Sequence, residues 1–158
     1  DAPDLVIVGK AGWKTAGLQE HISAHPERGR RLHWFDSMSD EGLCLLYGAC
    51  RGLFMASRGE GFGLPLIEAA MHRRHVLARD LPVFREQNLP NVLYFTDEAP
   101  AALGNRLLEL VRLGQKQAAL AADLLPAWSE CVDGLLGELG FRLTADHHQL
   151  ESPLRKAS

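Results

Sequence analysis

Five short apolar runs, spread over the first 95 residues and separated by stretches of helical periodicity, most restrict the folds open to this chain. They are "DLVIVG" (Asp4–Gly9), "RLHWF" (Arg31–Phe35), "GLFMAS" (Gly52–Ser57), "HVLAR" (His75–Arg79) and "NVLYF" (Asn91–Phe95). Each is too short for a helix, rich in β-branched or aromatic residues, and nearly continuous in apolar character. A strand with one wet face would alternate apolar and polar residues, so these runs read as strands covered on both faces. The helical stretches between them supply the long crossovers that parallel pairing needs. The reading is α/β: a Rossmann-like doubly wound parallel sheet of about five strands.

The helices are legible in the same way. "TAGLQEHISAH" brings Leu18, Ile22 and Ala24 to one side and stops at Pro26. "SMSDEGLCLLYGACR" starts from a serine cap, Ser37 or Ser39, with acids in its first turn and Leu43, Leu46, Tyr47 and Cys50 along one face. "LPLIEAAMHRR" starts at Pro65, whose missing N–H suits the first helical position. A short segment around "LPVFREQ" separates the last two strands, with Asp80 and Glu86 as helix and turn caps. From Glu98 onward the chain reads helical through "EAPAALGNRLLELVRLG", "QKQAALAADLL" and "AWSECVDGLLGEL". The polar end "TADHHQLESPLRKAS" frays or docks on a partner outside the chain. One domain accounts for all of this, with a core over about residues 4–125 and a terminal helix and tail over 127–158.

A chain of 158 residues buries enough surface to hold a core without disulfides or metal. Its net charge of −3 argues against general nucleic-acid or membrane-surface binding, which needs a basic bias. The arginine clusters, Arg28/Arg30/Arg31 and Arg73/Arg74, read as solvated side chains. Cys44, Cys50 and Cys131 are odd in number and form no Cys-x-x-Cys pair, so they read as reduced thiols of a cytoplasmic protein. No run has the eighteen apolar residues of a membrane span. His72 with His75, or His147 with His148, are spaced to chelate, but no cysteine or carboxylate completes a set, and no metal site is expected. The chain opens on Asp1 and enters a strand almost at once, as a piece cut from a longer protein would.

The most informative stretch is "SRGEGFGLPLIEA", Ser57–Ala69, between the third strand and its helix. In doubly wound sheets, ligands bind where strands hand over to helices. Glycines at 59, 61 and 63 remove side chains that would keep a bulky anion from the backbone. The N–H groups from Phe62 to Ile67 then face that anion at a helix N-terminus. With Pro65 as the first helical residue, Glu68 falls in the first turn, beside the ligand. An ionised carboxylate accepts hydrogen bonds and donates none, so Glu68 suits ribose hydroxyls rather than phosphate. Glu60, before the turn, suits a second polyol. Two hydroxyl-binding groups flanking a diphosphate describe a nucleotide-sugar.

At these residues the chain resembles retaining glycosyltransferases of the two-Rossmann-domain (GT-B) type, group 1, also called family 4. That family's two glutamates are separated by seven residues, usually within "EGFGLPxLEAMA", and "EGFGLPLIEAAM" here follows the pattern closely. "LVIVGKAGW", "SDEGLCLLYGACRGLFMAS", "RDLPVFREQ" and "AWSE" resemble further family segments, so the likeness runs from about Leu5 to Gly137. It implies that the chain is the C-terminal, donor-binding half of a GT-B enzyme. Glu68 would bind the ribose, Glu60 would contact the donor sugar as the catalytic glutamate, and the backbone of Gly61, Phe62, Gly63 and Leu64 would meet the diphosphate. The loop from Phe35 through Asp36 and Ser37 to Met38 would lie near the base. No cofactor or metal is implied, since a helix dipole and basic side chains offset the charge of the leaving diphosphate. The partners implied are a nucleotide-diphosphate sugar and an N-terminal acceptor-binding domain. Nucleic acid is not among them, and any peripheral membrane association would run through that other half.

The chain departs from the family pattern twice. The strand–helix unit that carries the family's phosphate-binding Arg and Lys, upstream of a segment like "LVIVG", is absent; Lys10 and Lys14 lie nearby as candidate phosphate contacts but do not occupy that pattern. The usual "ACGxPV" after the motif helix is "MHRRHV". Three other classes compete with this reading. A dinucleotide-dependent oxidoreductase lacks support, because "VIVGKAGW" has no Gly-x-Gly-x-x-Gly and Asp36 follows Gly9 by 27 residues rather than about 20. Glycoside hydrolysis by Glu60 and Glu68 leaves the phosphate-cradling turn without a purpose. A non-catalytic nucleotide-binding or interaction module with a degenerate site stays open as the alternative.

Overall fold

The computed structural model describes residues 3–97, 99–118, 135, 137–138, 142–143 and 150–151. All five expected strands form, as β1 (Leu5–Val8), β2 (Leu32–Phe35), β3 (Gly52–Met55), β4 (His75–Arg79) and β5 (Val92–Phe95). Between and after them come α1 (Ala16–Ala24), α2 (Asp40–Ala49), α3 (Leu64–Met71), α4 (Pro82–Glu86) and α5 (Pro100–Leu113). The class is α/β and the five strands pair in parallel, as expected. They lie in two sheets rather than one continuous one. β1 pairs with β2 from Leu5↔Leu32 to Val8↔Phe35, while β3, β4 and β5 form a second sheet in that order. Apolar runs report burial and crossover length, but not which strands lie side by side, so the sequence carries no mark of this division.

β4 is central in the larger sheet, and Val76, Leu77 and Ala78 are fully buried there. Leu77, Phe95 and Leu110 form a core cluster with Phe54, Leu93, Leu103 and Leu107 packed around it, which seats α5 on the sheet. α5 ends very close to β3: a Cβ at Gly114 would lie 1.8 Å from the Arg51 carbonyl oxygen, so only glycine fits. α3 packs on β3 and β4 and buries Leu66, Ile67, Ala69 and Ala70.

The cap of α2 falls on Ser39, whose Oγ accepts from the Gly42 N–H at 3.2 Å. Asp40 and Glu41 occupy the first turn, and hydrogen bonds from a backbone N–H and from Ser39 hold the Glu41 carboxyl below its usual range. On the other side of the helix Leu43, Leu46, Tyr47 and Cys50 turn inward, while Leu45 is exposed. Ser39→Ala should lower stability by about 1 kcal/mol in denaturant melts, with Ser39→Asp close to wild type. An unchanged midpoint for the alanine variant would show that the cap does not hold this helix.

The "MHRRHV" segment has a structural role. Arg73 takes the left-handed conformation (φ 56°) after α3. Its Nε donates to the Ala118 carbonyl at 3.2 Å, and Arg74 donates to the Gly48 carbonyl at the end of α2. The Asn91 amide donates to the Arg74 carbonyl, and His72 stacks on Tyr47 with ring centroids 5.4 Å apart. Where the family has small residues, these long side chains tie the end of α3 to its neighbours. Arg73 and Arg74 are therefore not merely solvated.

Residues 1–121 make one compact unit and residues 122–158 another. In the second, β6 (Arg142–Leu143) pairs antiparallel with β7 (Leu150–Glu151), a pairing the polar sequence did not announce. Residues 115–118 are a turn rather than the start of a further helix. Most of "QKQAALAADLL", "AWSECVDGLLGEL" and the tail, with Cys131, lies outside the described residues.

Candidate functional site

β3 ends at Met55, and residues 56–63 form the loop into α3. Its last residue, Gly63, is buried and left-handed (φ 85°), and caps the helix without a side chain. A Cβ there would meet the Phe84 ring at 2.7 Å. Gly63 is therefore required twice, by conformation and by space. Gly59 and Gly61 have ordinary φ values, and a Cβ on either would meet nothing within 4 Å. The protein itself gives no reason for glycine at those two positions.

The loop rests on α4. Phe84 is fully buried beneath Gly63, and the Gln87 side-chain amide, at the end of α4, donates to the Phe62 carbonyl. α4 is fixed in turn by Arg85, which grips Asp80 through two hydrogen bonds of 2.8 and 2.9 Å and lies 3.8 Å from the centre of the Tyr94 ring. The Tyr94 hydroxyl donates to the Phe84 carbonyl at 3.0 Å. Hydrogen bonding from Arg85 holds the Asp80 carboxyl below its usual range. Asp80 thus anchors Arg85 rather than capping a helix; the cap of α4 is Leu81. Phe84 and Gln87 were not singled out from the sequence, because their importance lies in what they touch across the fold.

The α3 helix begins at Leu64, one residue earlier than expected, because left-handed Gly63 takes the cap. Pro65 is then its second residue and Glu68 its fifth, past the first turn. The Leu66 N–H is also occupied, donating to the Gly63 carbonyl at 3.0 Å. Among the described residues nothing caps the N–H groups of Phe62, Gly63 or Leu64. The set of amides without a protein partner is narrower than the sequence suggested. Phe62 and Leu64 expose their side chains around it.

Glu68 is half-buried, and its Oε2 accepts a 2.9 Å hydrogen bond from the Tyr47 hydroxyl. Tyr47 is 7% exposed and its hydroxyl also lies 3.5 Å from the Pro65 carbonyl. Burial, and then the nearby carboxylate, push the phenol well above its usual range, so it stays a neutral donor. Oε1 of Glu68 takes no hydrogen bond from the described residues. Glu60 is exposed on the loop, where its Oε1 accepts from Ser57 Oγ at 2.9 Å. Arg79, which sequence reading missed, braces the ends of the sheet: it donates to the Ala56 carbonyl and pairs with Asp97, over the Phe95 ring.

A second group gathers at the carboxyl ends of β1 and β2. Lys10, Asp36 and Ser37 line an open groove of about 740 Å³ with Gln19, Arg28 and Trp34. The Trp34 indole N–H donates to the Gly9 carbonyl at 2.9 Å and fixes the groove wall. Phe35 is exposed beside it. Met38 packs against Gly42, and Lys14 lies over the exposed Trp13 ring, 4.1 Å from its centre; neither lines the groove. Among the described residues no hydrogen bond or ion pair joins this group to the glycine loop.

A loop of open amides after a parallel strand, with a braced carboxylate on the following helix, fits a class that the comparisons define. Residues 2–123 match the family model described as "Glycosyl transferases group 1", and the chain belongs to that family. It is 39% identical over 138 residues to the serotype-specific mannosyltransferase WbdA of Escherichia coli, covering 86% of this chain and 17% of that protein. A second relative, the Escherichia coli O-antigen chain mannosyltransferase B, is 38% identical over 68 residues, 41% of this chain and 17% of its own length. The chain thus spans about a sixth of the curated relatives it matches. No solved structure matches it. Among the described residues no helix is long and apolar enough to cross a membrane.

Proposed function

We propose that this chain is the donor-binding half of a retaining, cytoplasmic mannosyltransferase, which takes mannose from a nucleoside diphosphate and passes it to an acceptor hydroxyl. The mannose assignment follows the names of the relatives. The observation that carries the reading is the pairing of uncapped N–H groups at Phe62, Gly63 and Leu64 with a carboxylate one helical turn further on. Such amides, aligned with a helix dipole, suit a diphosphate. They also stabilise the charge that grows on it as the bond to the anomeric carbon breaks. Glu68 accepts from the ribose hydroxyls, and Glu60, exposed on its loop and hydrogen-bonded by Ser57, contacts the sugar as the catalytic glutamate. Arg58 on the same loop adds positive charge near the phosphates. Lys10, Asp36 and Ser37 offer phosphate or base contacts from their groove, with Phe35 exposed beside it. The reading calls for no metal or cofactor.

The acceptor-binding half lies elsewhere in the full-length protein. The isolated 158 residues should therefore not turn over. The test is to incubate the full-length protein, and the isolated chain beside it, with mannose donors of guanosine and uridine diphosphate and an oligosaccharide acceptor. Nuclear magnetic resonance then reads the new anomeric centre. The expected result is transfer by the full-length protein alone, with the donor's anomeric configuration kept. Inversion, or turnover by the isolated chain, would contradict it.

A further inference from the structure

We propose that Tyr47, a residue of α2, is a positioning residue for donor binding: its hydroxyl holds Glu68 in the rotamer that presents Oε1 to the ribose. The proposal rests on the reading of Glu68 as the ribose ligand and adds to it a group that never touches the donor. Tyr47 is almost wholly buried, stacked on His72 and packed in the angle between α2 and α3. Phenylalanine would fill the same space, so packing alone gives no reason for a hydroxyl there. What the hydroxyl does is make a 2.9 Å bond to Glu68 Oε2 and a longer contact, 3.5 Å, to the Pro65 carbonyl.

The need for a brace follows from α3 itself. Glu68 sits among Leu66, Ile67, Ala69 and Ala70, all buried, and an unbraced glutamate samples several rotamers that must be frozen when a ligand binds. A neutral phenol fixes one oxygen by donation and leaves the other with both lone pairs for hydroxyl donors. Because the brace comes from α2 and Pro65 lies in the first turn of α3, one buried hydroxyl fixes the carboxylate and touches the start of the helix whose N-terminus carries the unpartnered amides.

The test uses the full-length protein and calorimetry with guanosine and uridine diphosphates, each compared with its 2′,3′-dideoxy analogue. Wild type should prefer the ribose form, and Glu68→Ala should erase that preference. Tyr47→Phe should lose about tenfold in affinity for the ribose form and nothing for the dideoxy form, with no further loss when combined with Glu68→Ala. Equal losses for both ligands would mark Tyr47 as merely structural, and an undiminished preference would remove it as a brace while leaving Glu68 in place. A wild type that does not distinguish the two ligands would overturn the ribose assignment, and the positioning role with it. Should Tyr47→Phe fold poorly, Glu68→Gln supplies the second arm. It keeps an acceptor for the hydroxyl, so it should retain more of the preference than Glu68→Ala, and equal loss in the two would count against the brace.

Discussion

Gly63→Ala should cost the protein about 2–5 kcal/mol, enough to consume a large part of a domain's stability. Two separate penalties add. The left-handed backbone at this position (φ 85°) is unfavourable for any residue with a Cβ, by roughly 1–2 kcal/mol. The new methyl group would also sit 2.7 Å from the Phe84 ring, which is fully buried and cannot swing into solvent, and overpacking of that kind costs roughly 1–3 kcal/mol. A double-mutant cycle separates the two. In a Phe84→Leu background the steric part should shrink while the conformational part remains, so the glycine substitution should cost about 1–2 kcal/mol less there than in wild type.

Gly61→Ala provides the contrast. Its backbone is unstrained and its surroundings are open, so stability should stay within about 0.5 kcal/mol of wild type while affinity for a nucleoside diphosphate falls. That pattern would separate a glycine the fold needs from one the ligand needs. Were Gly63→Ala to melt at the wild-type midpoint, the support of the loop by α4 would be wrongly described.

Much of this architecture was legible in the sequence, for a physical reason. Strands buried on both faces must be apolar through their centre, and "HVLAR" carries Val76, Leu77 and Ala78 between its polar ends, so β4 forms over His75–Arg79, the residues its run marked out. Caps are local chemistry, and Ser39 was one of two serines expected to cap α2. Other features depended on contacts that sequence order conceals. Pro65 suits the first position of a helix, but left-handed Gly63 takes the cap and Leu64 that position, and the Phe84 ring leaves no room at Gly63 for a larger residue. That moved Glu68 out of the first turn. Tyr47 was read as part of an apolar face, which it is, but its hydroxyl meets a carboxylate 21 residues away. The two-sheet division and the β6–β7 pair were likewise not inferable from periodicity, which describes a strand but not its neighbours.

The largest effect on function is expected at Glu68. On the proposed reading the donor offers two vicinal ribose hydroxyls, and the braced Glu68 carboxylate is the one side chain on α3 able to accept from them. Hydrogen bonds to a charged acceptor contribute roughly 1.5–3 kcal/mol each. Truncation to alanine therefore removes a term worth about a hundredfold in affinity, and leaves the Tyr47 hydroxyl in a buried site without its main partner. The fold should survive, since Glu68 is half-buried and the apolar residues that seat α3 are untouched. Far-ultraviolet circular dichroism on the same samples verifies that.

The decisive measurement is titration calorimetry of the full-length protein with guanosine and uridine diphosphates, for wild type and Glu68→Ala side by side. The account requires wild type to bind at least one of them and the variant to bind it about a hundredfold more weakly. Matching affinities for a correctly folded variant would mean that the carboxylate does not hold the pentose, and the assignment of this loop and helix to the donor would be wrong.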